Sequence, residues 1–314
     1  RSIYDLWRKF GPMGGFCAGI QEVFMDDLSQ TGTGRKQASD FDQELLDLYD
    51  KYCHGVIDRR AFMDGVGKFA IGGVTTASLV AALMPNYALA AQVDEKDPAI
   101  KTETITFKSP KGNGDTKGYL VKPAKAGTYG AVVVIHENRG LNPYIADVAR
   151  RLGKAGFIAL APDGLTSLGG YPGTDEKGKE MQAKLDKDKL LQDFIAAHDH
   201  AKTMKDVNGK IGAVGFCFGG GVANAMAVRI PTLAAAVPYY GAAPKTGIEN
   251  IKAPLLIHMG ELDKRINAMW PDYEKALKAN KKSYEAHIYP KANHGFHNDT
   301  TPRYDKEQAE LSWK

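Results

Sequence analysis

One stretch limits the possible folds more than any other: Lys210-Ile-Gly-Ala-Val-Gly-Phe-Cys-Phe-Gly-Gly-Gly221, an apolar run of strand type that passes through Gly-x-Cys-x-Gly into a helical pattern. A strand that turns directly into a helix lying on the same sheet leaves no room for side chains beside the corner. Gly215 and Gly219 therefore read as spacers and Cys217 as the residue displayed at the turn. The helix begins at about Phe218, and its unpaired N–H groups favour negative charge on a thiolate or a bound oxyanion. A Gly-rich turn around an inert, buried Cys has the same five letters, so the rest of the chain has to decide.

Two later loops do so. The apolar strand Pro254–Met259 is followed by Gly260-Glu-Leu-Asp263, and the alternating strand Tyr284–Tyr289 by Pro290-Lys-Ala-Asn-His-Gly-Phe296. Nucleophile, acid and histidine then follow one another along the chain, each on a loop after a strand, which is the order of an α/β-hydrolase. This identifies Cys217, Asp263 and His294 as the expected catalytic triad.

The pattern around these loops fits that fold class. Strands are expected at 102–108 and 117–122, joined through Gly112-Asn-Gly114 as a hairpin, then at 130–136, 157–162 and 234–240. Helical patterns fall at 143–153, over a long region at 178–205, and from the elbow to Arg229. Such alternation predicts an α/β fold, mainly a parallel central sheet with helices on both faces, its site at the strands' carboxyl ends.

At 314 residues, 43% hydrophobic and 25% charged, the chain has enough material for one full core and an appendage. A net charge of +4 without any long basic block gives no footing for nucleic acid. Cys17, Cys53 and Cys217 are far apart and form no C-x-x-C pair, so neither a zinc cluster nor a disulfide framework is expected. His136 and His258 end apolar strands and read as core histidines, and His198 and His200 lack a third ligand; no metal and no organic cofactor are expected. Trp270, Tyr239 and Tyr240 read as core aromatics.

The N-terminal third has a different character. Residues 1–58 form a preface, flexible at Gln30-Thr-Gly-Thr-Gly34 and helical with apolar spacing over 41–52. From Asp58-Arg-Arg-Ala-Phe-Met63 through the mild apolar run 69–83 to Ala88-Leu-Ala90, the order is that of a twin-arginine export signal at 59–90. That reading implies the export machinery as a partner, cleavage before Ala91, a periplasmic or secreted enzyme of 91–314, and no stable membrane insertion. The alternative is a buried Ala/Gly-rich helix of the enzyme, against which the paired arginines and the cleavage site weigh.

Gly-Phe-Cys-Phe-Gly-Gly at 215–220, His-Glu-Asn-Arg-Gly at 136–140, Gly-Glu-Leu-Asp at 260–263 and Asn-His-Gly-Phe at 293–296 together resemble the dienelactone hydrolases, or carboxymethylenebutenolidases, over roughly 102–313. The preface at 49–63 looks like that of the family's secreted branch. The resemblance implies hydrolysis of an ester or enol-lactone through a thiol ester, with Glu137 touching the resting thiol and the N–H groups of Asn138 and Phe218 as the oxyanion hole. It also implies a C-terminal helix, after Arg303-Tyr-Asp305, that is cut short here. Family members that take a carboxylated lactone use an arginine in the loop matching 165–174 and another shortly after the histidine. This chain has Tyr171 in the first and Asn298 at the second, leaving Arg139 and Arg303 as candidate anion contacts and favouring a neutral small-molecule ester. A carboxylesterase of other esters, a thiol redox protein and a non-catalytic binding module are the alternatives.

Overall fold

The structure, a computed structural model, describes residues 36–89 and 91–314; the expected flexible run at 30–34, Cys17 and Ala90 of the expected cleavage site lie outside the described residues. The hydrolase part is built on one eight-stranded sheet in the order β1-β2-β4-β3-β5-β6-β7-β8. These strands are Ile100–Ser109, Gly114–Pro123, Tyr129–Ile135, Ile158–Pro162, Val207–Phe216, Ala236–Tyr239, Leu255–Gly260 and Tyr284–Tyr289. The first two pair antiparallel, and β2 also pairs antiparallel with β4, whereas every pairing from β4 to β8 is parallel.

Alternation within the central strands sends residues to two separate cores. Ala131, Val133 and Ile135 of β3 join one core, and Val132 and Val134 join the other. Because both faces are covered, these strands are continuous apolar runs rather than alternating ones.

Ten helices among the described residues complete the chain: α1 Gln43–Cys53, α2 Arg59–Gly67, α3 Thr76–Leu83, α4 Pro143–Lys154, α5 Asp175–Gln182, α6 Lys187–Ala201, α7 Phe218–Arg229, α8 Lys264–Asn267, α9 Trp270–Ala279 and α10 Lys306–Trp313. One face of the sheet carries Phe194 of α6, Met226 of α7 and Leu277 of α9; the other carries Ile145 and Val148 of α4. Helix α4 starts where Asn142 accepts the N–H of Ile145 and Pro143 occupies the first turn. The long helical region expected at 178–205 is two helices, because Asp186 accepts the N–H groups of Asp188 and Lys189 and so begins a new one. The strand order reverses beside β3, with β4 on one side and β5 on the other, and a crevice at such a switch point is where an open α/β sheet binds its ligand.

The three N-terminal helices have a core of their own. Leu45, Leu46, Tyr49 and Cys53 of α1 bury against Phe62 and Val66 of α2 and Leu83 of α3. Asp58 caps α2 by accepting the N–H of Ala61, and the four-residue step from Phe62 to Val66 puts both on the inner face. The stretch 59–90, set apart in the sequence as a segment outside the enzyme's fold, is thus packed where it is described. Its central apolar residues are nevertheless on the surface, with Ile71 75% and Val74 46% exposed. No described helix is long and apolar enough to cross a membrane.

Candidate active site

Cys217 stands at the corner between β5 and α7 with φ 56° and ψ −111°, a backbone conformation that disfavours any residue with a Cβ. The glycines on either side make the corner possible. A Cβ on Gly215 would lie 1.9 Å from the carbonyl oxygen of Gly219, and one on Gly219 would lie 2.3 Å from that of Ile135. Cys217 N–H donates to Tyr239 O at 3.1 Å, tying the corner to β6. Phe218 is the first residue of α7, so its N–H has no acceptor within the helix.

The loops after β7 and β8 bring the other two expected residues together. Asp263 Oδ2 receives His294 Nδ1 at 2.5 Å, and both side chains are buried. Asp263 also accepts the N–H of Ile266 at 3.1 Å, which fixes its carboxylate at the start of α8. His294 Nε2 has no hydrogen-bond partner, and a ring nitrogen of His294 lies within 4.8 Å of the sulfur. Burial opposes a charged imidazole, yet the charges of Asp263, Asp50 and Cys217 outweigh it and raise His294 to about 9. Burial likewise opposes a thiolate, but the charges of His54 and His294 hold the Cys217 thiol well below its ordinary range.

Glu137 is buried at the end of β3, and its carboxylate accepts Asn298 Nδ2 at 3.0 Å. Burial is the main reason its pKa rises; the Cys217 charge adds to this, and Arg139 opposes it. The polar group on the sulfur is instead an imidazole from the N-terminal helices: His54 Nε2 lies 3.2 Å from Cys217 Sγ. The resemblance placed Glu137 at that point; here its hydrogen-bond partner is Asn298, and His54 is the group within hydrogen-bond distance of the sulfur. The Asn138 side chain donates to Cys53 O at 2.7 Å.

Asp50 stands behind His54, with its carboxylate 3.3 Å from Nδ1 and its carbonyl 2.8 Å away. Burial works against a charged His54, but the sulfur's charge and the hydrogen bonds to Asp50 and Cys217 hold it up at about 10. Burial would raise Asp50, but His294, His54 and Arg303 together keep it below the usual carboxylate range. The sulfur thus faces two histidines, each backed by an aspartate. Arg265 of α8 reaches His54 Nε2 at 2.9 Å. His54, Cys217 and His294 are also, among the described residues, the one His/Cys/Asp/Glu group close enough to share a metal ion. The sequence reading of no metal set did not weigh His54, which is 163 positions from its sulfur partner.

The candidate substrate contacts are already engaged. Arg303 is buried and pairs with Asp50 at 3.0 Å beneath the Tyr49 ring. Arg139 is buried rather than solvated, pairing with Asp175 at 2.7 Å and donating to Cys53 Sγ at 3.2 Å. Tyr171 donates to the same Asp175 at 3.0 Å. His136 and His258 are core histidines: His136 Nε2 accepts the Gly164 N–H, and His258 Nδ1 meets the Tyr289 hydroxyl.

A strand-to-helix elbow, an Asp–His pair on the two following strand ends and a mostly parallel sheet define an α/β-hydrolase. The chain belongs to the dienelactone hydrolase family, whose description matches residues 116–314, while a second, YqhI-like description matches residues 33–68. The "Putative hydrolase fragment YghX" of Escherichia coli K12 is 63% identical over 114 residues, 36% of this chain and 97% of that one. A "Putative carboxymethylenebutenolidase" of Synechocystis is 31% identical over 239 residues, covering 68% of this chain and 94% of that protein. Among solved structures, a "Putative Dienelactone Hydrolase" of Klebsiella pneumoniae superposes with a TM-score of 0.60 at 27% identity, covering 68% of this chain and 95% of its own. The chain is accordingly a hydrolase of the ester- and lactone-cleaving kind.

Proposed function

We propose that the enzyme cleaves a small carboxylic ester or enol-lactone through a thiol ester on Cys217. The observation that carries this is the corner itself, a strained Cys217 at a helix N-terminus with the buried His294–Asp263 pair beside it. Asp263 orients His294, and the ion pair between imidazolium and thiolate supplies the nucleophile. The sulfur attacks the carbonyl carbon, and the oxyanion is received by the Phe218 and Asn138 N–H groups. As the tetrahedral centre collapses, the ester C–O bond breaks and His294 delivers its proton to the leaving alkoxide or enolate. Neutral His294 then takes a proton from water, whose oxygen attacks the thiol ester, and release of the carboxylic acid restores the ion pair.

A neutral ester is the favoured substrate, because Arg139 and Arg303 are already paired with Asp175 and Asp50. A carboxylate held in a dry site without a cation costs several kcal/mol. The test is hydrolysis of a panel of esters and lactones by wild type and Cys217→Ala. Cys217→Ala is expected to lose at least about 10³-fold in kcat/KM by removing the attacking atom, and near-wild-type turnover by that variant ends the assignment. Within the panel, a hundredfold preference for a carboxylated lactone over its methyl ester, about 2.7 kcal/mol of discrimination, overturns the neutral-substrate reading.

A further inference from the structure

We propose that the mouth of the active site is a docking surface for the chain's own residues 43–59, and that this docking closes Cys217 to substrate. Three residues within a five-residue stretch, Asp50, Cys53 and His54, engage the parts a substrate needs. His54 is 3.2 Å from the sulfur, and the Cys53 carbonyl takes the Asn138 side chain on the oxyanion loop. Asp50 takes Arg303, while the Cys53 thiol takes Arg139. An acyl carbon under attack has to come within about 3–3.5 Å of the sulfur, and His54 already stands at that range. The dienelactone hydrolase match begins at residue 116, so all of these contacts come from outside the matched hydrolase region.

The seam is made to separate. Around the thiol it consists of polar side-chain contacts: Gln43 to Asn293 at 2.7 Å, Lys264 to Asp47 at 3.1 Å, Tyr52 to Glu176 at 2.8 Å and Arg59 to Glu176 at 2.6 Å. The exposed pairs, Lys264–Asp47 and Arg59–Glu176, contribute about 0–1 kcal/mol each, so Arg303–Asp50, the largely buried ion pair of the seam, is the stronger tie. The helices' large apolar residues cluster with one another, and a half-open cavity of about 220 Å³ at the seam is lined by Phe62, Tyr52 and Arg139 among others. What holds a weak seam closed is its tether, since a linked segment acts at an effective concentration in the millimolar range. The closure needs only Cys217 as the thiol beneath it; its effect on turnover rests on the function proposed above.

Two full-length variants test this, His54→Ala at the thiol and Gln43→Ala/Asp47→Ala at the rim. Alkylation of Cys217 by iodoacetamide is followed by peptide mass spectrometry to its high-pH plateau, where the rate reports access rather than ionisation, and p-nitrophenyl acetate hydrolysis is measured alongside. The plateau rate is expected to rise at least tenfold in His54→Ala and several-fold in the rim variant, with kcat/KM rising in step. Unchanged alkylation in the folded variants overturns the proposal. So does a fall in both plateau rate and kcat/KM in His54→Ala, which makes His54 part of the catalytic machinery. Faster alkylation with no hydrolysis by any form of the protein supports the docking and overturns the proposed function. If His54→Ala does not fold, the rim variant decides by the same two readouts.

Discussion

The sheet and the N-terminal helices are stabilised in different ways. In the sheet, β3, β4 and β5 send residues into the cores on both faces, and the site grows out of the ends of β3, β5, β7 and β8. The helices of 43–83 have a small cluster of eight buried residues and meet the hydrolase largely through side-chain hydrogen bonds and ion pairs. A continuous apolar core makes its parts fold together, whereas a polar seam lets two parts keep separate stabilities. The candidate site residues Cys217, Asp263 and His294 therefore stand on the sheet side, and what covers them stands on the part with the smaller core.

The largest expected effect is at the corner. Gly219→Ala brings a Cβ to 2.3 Å from the Ile135 carbonyl, a backbone atom that cannot rotate away. A loss of about 3 kcal/mol or more is expected, read by denaturant unfolding, together with loss of hydrolysis. Near-wild-type stability of this variant breaks the claim that the corner is rigid.

An effect of similar size in free energy, but confined to one region and leaving the corner intact, separates the two regions directly. Phe62, stacked on Tyr52 at 4.5 Å between ring centroids, is buried in the helical cluster. Phe62→Ala is expected to cost about 3–5 kcal/mol, confined to residues 43–83. By native-state hydrogen exchange, protection falls there while β3 and β5 keep theirs. An equal fall in both makes them one cooperative unit and defeats the comparison.

The smallest effect is the dependence of the seam on pH. His54 is raised to about 10, so its contribution to docking is complete below the unfolded value near 6.5 and is lost as pH rises toward 10. Asp50 is depressed, so its contribution is present above about 3.9 and is lost as pH falls below that. The groups facing this pair are Cys217, His294, Arg265 and Arg303. Limited proteolysis of 43–59 is expected to be slowest near pH 4–6.5 and to quicken several-fold by pH 9, with no such change in β3–β5. A flat profile removes His54 and Asp50 as determinants of the seam.

What could be read in the sequence was what is local. The candidate residues Cys217, Asp263 and His294 stood out because each follows an apolar strand within a few residues, and glycines mark the corner where Cys217 sits. Helix α1 was visible by its apolar spacing, Gln43–Cys53 against the expected 41–52. The surface on which they rest was not. His54 and Cys217 are 163 positions apart, and no motif joins them. Arg139 read as a candidate anion contact because neither Asp175 nor Cys53 announces itself as its partner. The break at Asp186 was locally encoded, in a capping aspartate inside an otherwise helical run, and was overlooked in favour of one long helix.

Asn138 has an obligation on each side of the seam, since its side chain holds the Cys53 carbonyl while its loop belongs to the site that would receive an oxyanion. Substrate and the N-terminal helices are therefore antagonists in the thermodynamic sense. By linkage, whatever free energy the closed helices subtract from substrate binding, bound substrate subtracts from the closed helices in equal measure. A tight, unreactive ester analogue would then act as a lever on a distant element, raising hydrogen exchange in α1 and α2 in proportion to its own occupancy.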